Sequence, residues 1–320
     1  MSSSGLKGPE STTDRQGYRQ IETILLNGDD NHRRESMLAI IGMIIVTACV
    51  AGGFAMAHGP FAVLWQPAEF VTIGGAAVGS LVVATPKAQF GLIMAAVKGT
   101  FTKSAPSKGE VTEVLQALYG LLGAMRKNGL LFLEKELKEP HSSEYFKKSP
   151  TLMKNHHALD FLVDALQFWV ANNAQPDELD AYLYMCLDTH EEEAQVAPGA
   201  INKVADALPA LGIVAAVLGI IITMQSLDQP PEVLGHHVGA ALVGTFLGVL
   251  MSYGYVAPLA TLMSAQSKEE ERLLLAIKST LVAFADGSAP ATAVEIGRTQ
   301  FYSPNRPSGP ELLTALRGGS

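Results

Sequence analysis

His190 is followed at once by Glu191, Glu192 and Glu193, and His156 by His157. Imidazole and carboxylate are metal-ligating types, but consecutive residues on a helix point in different directions, so neither run can close around one ion. Both are expected to be solvated faces, and no metal site is assigned. Cys49 and Cys186 cannot build a disulfide framework and are expected to be unpaired thiols. The sequence holds no G-x-S-x-G, no G-x-x-x-x-G-K-[ST], no H-E-x-x-H and no Cys-x-x-Cys, so hydrolase, NTPase and zinc-enzyme chemistry lack their residues. No catalytic residue and no cofactor is assigned. What remains is a small set of polar or helix-shaping residues in or beside apolar runs: Glu69, Asp206, Pro209, Thr245 and Pro258.

The elements that must position them are membrane spans. With 48% hydrophobic residues, 17% charged residues and a mean hydropathy of +0.21, the chain is too apolar for an ordinary soluble enzyme yet keeps a sizeable water-facing part. Runs at 38–57, 69–85, 208–223 and 238–257 are each close to the length needed to cross a hydrocarbon core of about 30 Å at about 1.5 Å per residue. Arg33, Arg34, Lys87, Lys203, Lys268 and Arg272 flank these runs, whereas the connections at 58–68 and 226–237 contain neither Lys nor Arg. That bias places both termini and the large middle region in the cytoplasm. A net charge of -8 argues against a nucleic-acid partner, which calls for a basic face.

Asp206 followed by Pro209 has the form of a helix start, since Pro is tolerated in a first turn and Asp can cap the free N–H groups. Downstream, Gly212, Ala215, Ala216 and Gly219 keep one side of that helix small. Ala240, Gly244, Gly248 and Ser252 form a matching narrow stripe on the fourth run, and Gly75 and Gly79 do the same on the second. Thr245 stands beside the stripe. Its hydroxyl, judged alone, is expected to bond the carbonyl four residues back, and Pro258 is expected to end or bend the fourth span. A chain that carries ions through a bilayer needs a titratable group at depth, held despite a cost of about 2.5–3.5 kcal/mol. Glu69 is placed at the outer edge of the second span and Asp206 at the inner edge of the third. A mid-depth acid must then come from another polypeptide.

The middle region, 87–203, is helical in pattern. Val111, Val114, Leu115, Leu118, Leu121, Leu122 and Met125 form an amphipathic stripe that stops at Asn128-Gly129. Further helices are expected at 130–138, along Leu159, Leu162, Val163, Leu166 and Val170, and from Pro176 to about Glu193. After the fourth span, 267–284 continues as an amphipathic helix, and a Pro- and Gly-rich tail ends the chain. Residues 1–36 are polar, show no signal-peptide core and are expected to be a disordered tail. The fold class is therefore all-α: a polytopic membrane protein of four transmembrane helices with a helical cytoplasmic domain inserted between spans two and three. Its segments are 1–36 (tail), 37–86 (spans one and two), 87–203 (cytoplasmic domain), 204–260 (spans three and four) and 261–320 (cytoplasmic helix and tail).

From Met37 onward the chain resembles the MotA family of flagellar-motor stator subunits. The resemblance rests on Gln66-Pro67-Ala68-Glu69, Thr189-His190-Glu191, the run from Leu208-Pro209-Ala210 to Ala215-Ala216-Val217, Val243-Gly244-Thr245-Phe246-Leu247-Gly248 and Ala293-Val294-Glu295-Ile296-Gly297-Arg298. The related ExbB and TolQ energisers share the third- and fourth-span pattern but have three spans, so the count of four favours the MotA branch. The N-terminal tail departs from the usual pattern of the family.

The resemblance implies a subunit of the bacterial inner membrane that forms a pentamer around a MotB-like partner, whose single span supplies the proton-binding aspartate. It implies that Thr245 and Ala216 line the ion path, that Pro209 and Pro258 couple ion passage to movement, and that Asp206 lies near the inner mouth. It implies that Arg126 and Glu134 engage FliG of the rotor. Sodium-driven relatives carry a threonine where this chain has Ala216, so one oxygen ligand for sodium is missing and H⁺ is the expected coupling ion.

Overall fold

A computed structural model describes residues 37–102, 105–130 and 132–318, and all the regular structure among them is helical. The expectation for 1–36 lies outside the described residues. In chain order the helices are α1 (Met37–Met56), α2 (Phe61–Leu64), α3 (Pro67–Ala84), α4 (Lys87–Thr100), α5 (Lys108–Asn128), α6 (Phe132–Lys138), α7 (Glu144–Lys147), α8 (Pro150–Lys154) and α9 (His156–Asn172). They continue with α10 (Pro176–Met224), α11 (Pro231–Met251), α12 (Ala257–Ala285), α13 (Pro290–Arg298) and α14 (Gly309–Gly318). A wide, π-type turn at Ser252–Val256 joins α11 to α12.

Contacts divide the described chain into two compact units, one built from 37–102 and 188–269 and the other from 105–187 and 270–318. In the first, four helices are long and apolar enough to cross a membrane: Met37–Met56, Phe61–Ala84 and stretches of Pro176–Met224 and Pro231–Ala285. Their outward side chains are apolar: Ile44, Val83, Val217, Ile222 and Leu242 are all exposed. A surface of that kind is covered by lipid or by other helices, not by water. Inside, Ile73 and Ala77 of α3 pack with Leu208 and Ala215 of α10 and Val243 and Leu247 of α11.

The second unit has a larger aliphatic core. Ser107 starts α5 with a reciprocal cap, its hydroxyl accepting from the Glu110 amide at 3.3 Å while its own amide donates to the Glu110 carboxylate at 2.7 Å. Gly129, at φ 76°, stops the helix by donating its N–H to the Met125 carbonyl. The expected stripe Val111, Val114, Leu115, Leu118, Leu121, Leu122 and Met125 is buried against Leu159, Leu162 and Leu166 of α9. The amphipathic helix expected at 267–284 lies within α12, and beyond it the C-terminal segment is not a plain tail but carries α13 and α14. Leu273, Ile277 and Leu281 of α12, Val294 of α13 and Leu312 and Leu316 of α14 all enter this core. Arg298 fastens the connection between α13 and α14, donating to Glu295 and to the Pro307 carbonyl at 2.9 Å.

Two expectations about helix ends are overturned. The helix starting at Pro176 does not stop near Glu193, and none begins at Asp206; α10 runs unbroken to Met224 with Pro198 and Pro209 inside it. An internal proline removes one backbone bond and usually costs about 3 kcal/mol, so Asp206-x-x-Pro209 reads as a cap only if nothing else offsets that loss. Of the two outcomes expected at Pro258, an end or a bend, the end is not seen, because α12 continues from Ala257 to Ala285 directly after the wide turn. The missing N–H is absorbed by the wide turn before it, where the Ala257 amide reaches back to the Ser252 carbonyl.

Candidate ion path and charged surface

Within the first unit, α10 and α11 meet backbone to backbone. A Cβ on Gly248 would lie 2.6 Å from the Leu208 carbonyl oxygen and 2.8 Å from the Gly212 Cα, and one on Gly212 would lie 2.8 Å from the Gly244 oxygen and 3.3 Å from the Thr245 Cα. Further along, a Cβ on Gly219 would meet Ala241 at 2.7 Å. The two small-residue faces anticipated from spacing thus face each other. Gly75 and Gly79 do not share that role, since a Cβ at either position meets nothing within 4 Å. The same spacing rule holds on all these helices, but only a neighbouring backbone makes the glycine necessary.

Thr245 and Ala216 lie at this crossing. The Ala216 amide is 3.1 Å from the point a Gly244 Cβ would occupy, and Thr245 and Ala216 are both half-buried. Thr223 and Thr261 each donate to the carbonyl four residues back, as was expected of Thr245. Among the described residues Thr245 makes no such bond. Asp206 is exposed and accepts a long hydrogen bond of 3.4 Å from Asn202. Pro209 is half-buried and Pro258 exposed.

Two features of this crossing escaped the sequence. Glu69 belongs to the first turn of α3, as an edge residue should, but its side chain reaches inward. Its Oε2 is buried, has no hydrogen-bond partner among the described residues and lies 2.8 Å from the Gly244 Cβ position. A carboxyl group therefore stands at the level of Thr245 and Ala216. The second feature is Ser252, 1% exposed, whose hydroxyl donates to the Ala205 carbonyl at 2.7 Å. Ala205 is the residue four before Pro209, so this bond fills the acceptor the proline abandons.

In the second unit Arg126 and Glu134 are exposed on either side of the Gly129 turn, while their neighbours Met125 and Leu133 are buried. Among the described residues neither takes part in an ion pair. Both charges are thus directed to solvent from a rigid base.

Comparison with known proteins fits this architecture. The family described as Motility protein A N-terminal matches residues 40–129, and the MotA/TolQ/ExbB proton channel family matches 153–275. Motility protein A of Salmonella typhimurium is 38% identical over 88% of this chain and 95% of its own length. Chemotaxis protein LafT of Vibrio parahaemolyticus is 32% identical over 85% of this chain and 95% of its own length. The fold is shared with solved MotAB structures from C. jejuni, with a TM-score of 0.69 at 19% identity over 85% of this chain and 98% of that one, and from Bacillus subtilis, with a TM-score of 0.61 at 22% identity over 80% and 92%. On identity and coverage together, the chain belongs to the motility protein A family, within the MotA/TolQ/ExbB proton channel family.

Proposed function

We propose that the chain is the membrane-embedded subunit of a proton-driven flagellar stator, and that it works only with a MotB-like partner whose single span supplies the proton-carrying carboxylate. Five copies surround the partner helices, both termini and the second unit face the cytoplasm, and rotation of the ring is transmitted to FliG through Arg126 and Glu134. The observation that carries the reading is the α10–α11 crossing. Two helices locked at Gly212, Gly244 and Gly248 hold Thr245, whose hydroxyl is unspent, beside Ala216. This is a surface for guiding an ion past a neighbouring helix, without residues for covalent chemistry.

Protons fit that surface better than sodium. Sodium must replace its hydration shell with several oxygens, and at Ala216 the chain offers a methyl group. The test is rotation of tethered cells of a stator-deficient host expressing this chain with its partner. Rotation that stops with a protonophore and persists without sodium is expected; rotation that needs sodium, or no rotation with both proteins present, would contradict the reading.

A further inference from the structure

Pro209 and Pro258 lie on different helices, and Ser252 touches the consequences of both. Its hydroxyl donates to the Ala205 carbonyl at 2.7 Å, the acceptor that Pro209 cannot serve. Its carbonyl accepts the Ala257 amide and so closes the wide turn that lets α12 run on past Pro258. Both Ser252 and Ala205 are fully packed, so water does not offer an easy substitute for either group. A second serine stands at the other internal proline. The Ser267 hydroxyl lies 3.5 Å from the Ala194 carbonyl, four residues before Pro198, and 3.1 Å from the Met263 carbonyl. With one proton and two acceptors, Ser267 is committed mainly to its own helix, whereas among the described residues Ser252 has the single acceptor Ala205.

From this geometry we propose that Ser252 is a positioning residue of the stator cycle: it ties the unpaired carbonyl at Pro209 to the wide turn at Pro258, so that the two prolines move as one joint. This rests on the function proposed above. A helix with an internal proline has two ways to satisfy the orphan carbonyl, by a side chain or by bending toward another donor. Ser252 selects the first and holds α10 at a fixed angle to the start of α12. When an ion passes Thr245, a change at Pro209 then reaches Pro258 through one hydrogen bond, not through the compliant packing of alanines and glycines.

The test is a cycle of variants in the complex with its partner. S252A removes the hydroxyl, S252T keeps one, and P209A returns an N–H to the Ala205 carbonyl. S252A is expected to accumulate normally, to shorten the half-life of the assembled complex in detergent roughly five-fold, the equilibrium ratio of one typical hydrogen bond, and to slow tethered-cell rotation at least two-fold. S252T is expected to restore both. In the P209A background, S252A is expected to change the half-life by less than two-fold, because the carbonyl already has a donor. An undiminished effect of S252A in P209A overturns the assignment, and so does a change in half-life with rotation untouched, which marks a purely structural bond. If S252A fails to accumulate, S252C, of similar size with a weak donor, carries the same two comparisons. If the unmodified complex does not rotate cells, the proposed function has failed, while the half-life cycle still decides the Ser252–Ala205 bond.

Discussion

The Ser252 hydroxyl meets the Ala205 carbonyl across 2.7 Å, and Ala205 is the residue that Pro209 deprives of its helical N–H. That contact lets the 49-residue α10 run on past Pro209. A proline in mid-helix is destabilising because it leaves an acceptor empty and crowds the preceding turn. Here the acceptor is filled from the wide turn that follows α11, so the helix stays continuous at Pro209.

Gly248 and Gly75 make opposite predictions from the same residue type. Gly248→Ala forces its methyl group against backbone atoms of Leu208 and Gly212, which cannot rotate away. It is expected to cost about 1–3 kcal/mol and to reduce both complex yield and swimming. Gly75→Ala adds a methyl group to open space and is expected to leave chain accumulation unchanged. Immunoblots of membranes with soft-agar swimming check both; normal swimming of Gly248→Ala would remove the crossing as a structural requirement.

Thr245 is expected to act through its hydroxyl, since no backbone carbonyl claims it among the described residues. Thr245→Val keeps the shape and removes the group. A hydrogen bond to a charged species is worth about 1.5–3 kcal/mol, so proton flux through the complex is expected to fall at least tenfold, with Thr245→Ser close to the unmodified level. Equal flux for Val and Ser would exclude a hydroxyl role.

Glu69 is expected to raise the local concentration of protons near that hydroxyl. A carboxylate acting through a partly wet path contributes roughly 1 kcal/mol, so Glu69→Gln is expected to lower proton flux about five-fold while assembly stays normal. An unchanged flux would leave Glu69 as a packing residue against Gly244.

Much of this was legible in the sequence. The four spans follow from apolar length, and the stripe of α5 and its stop at Gly129 follow from periodicity and from the backbone freedom of glycine. The small faces of α10 and α11 also follow, because spacing by four places residues on one side of a helix. Their partners do not: Gly75 and Gly79 obey the same spacing, yet among the described residues a Cβ at either would meet nothing. The reach of Glu69 was hidden because sequence gives a position along an axis and not the direction of a side chain. Pro209 was misjudged for a related reason. Whether a proline ends a helix depends on what fills the orphaned carbonyl, and Ser252 is 47 positions away from the residue it serves.

Arg126 and Glu134 are expected to work by charge against the rotor. Both are exposed beside buried anchors, so Arg126→Glu or Glu134→Lys removes no packing. Each reversal is expected to lower torque severalfold at normal protein level, and a complementary reversal on FliG to restore part of it, as complementary potential sets docking. Reduced accumulation, or unchanged torque in the double reversal, would rule out the contact.

The central claim is that this chain guides protons but does not carry them alone. In reconstituted vesicles under an imposed pH gradient, the chain without its partner is expected to give the proton flux of empty lipid, because the proposed path needs a second carboxylate, on the partner's span, besides Glu69. Adding the MotB-like partner is expected to open a flux that Thr245→Val suppresses. Flux well above the lipid background through the chain alone would contradict the account.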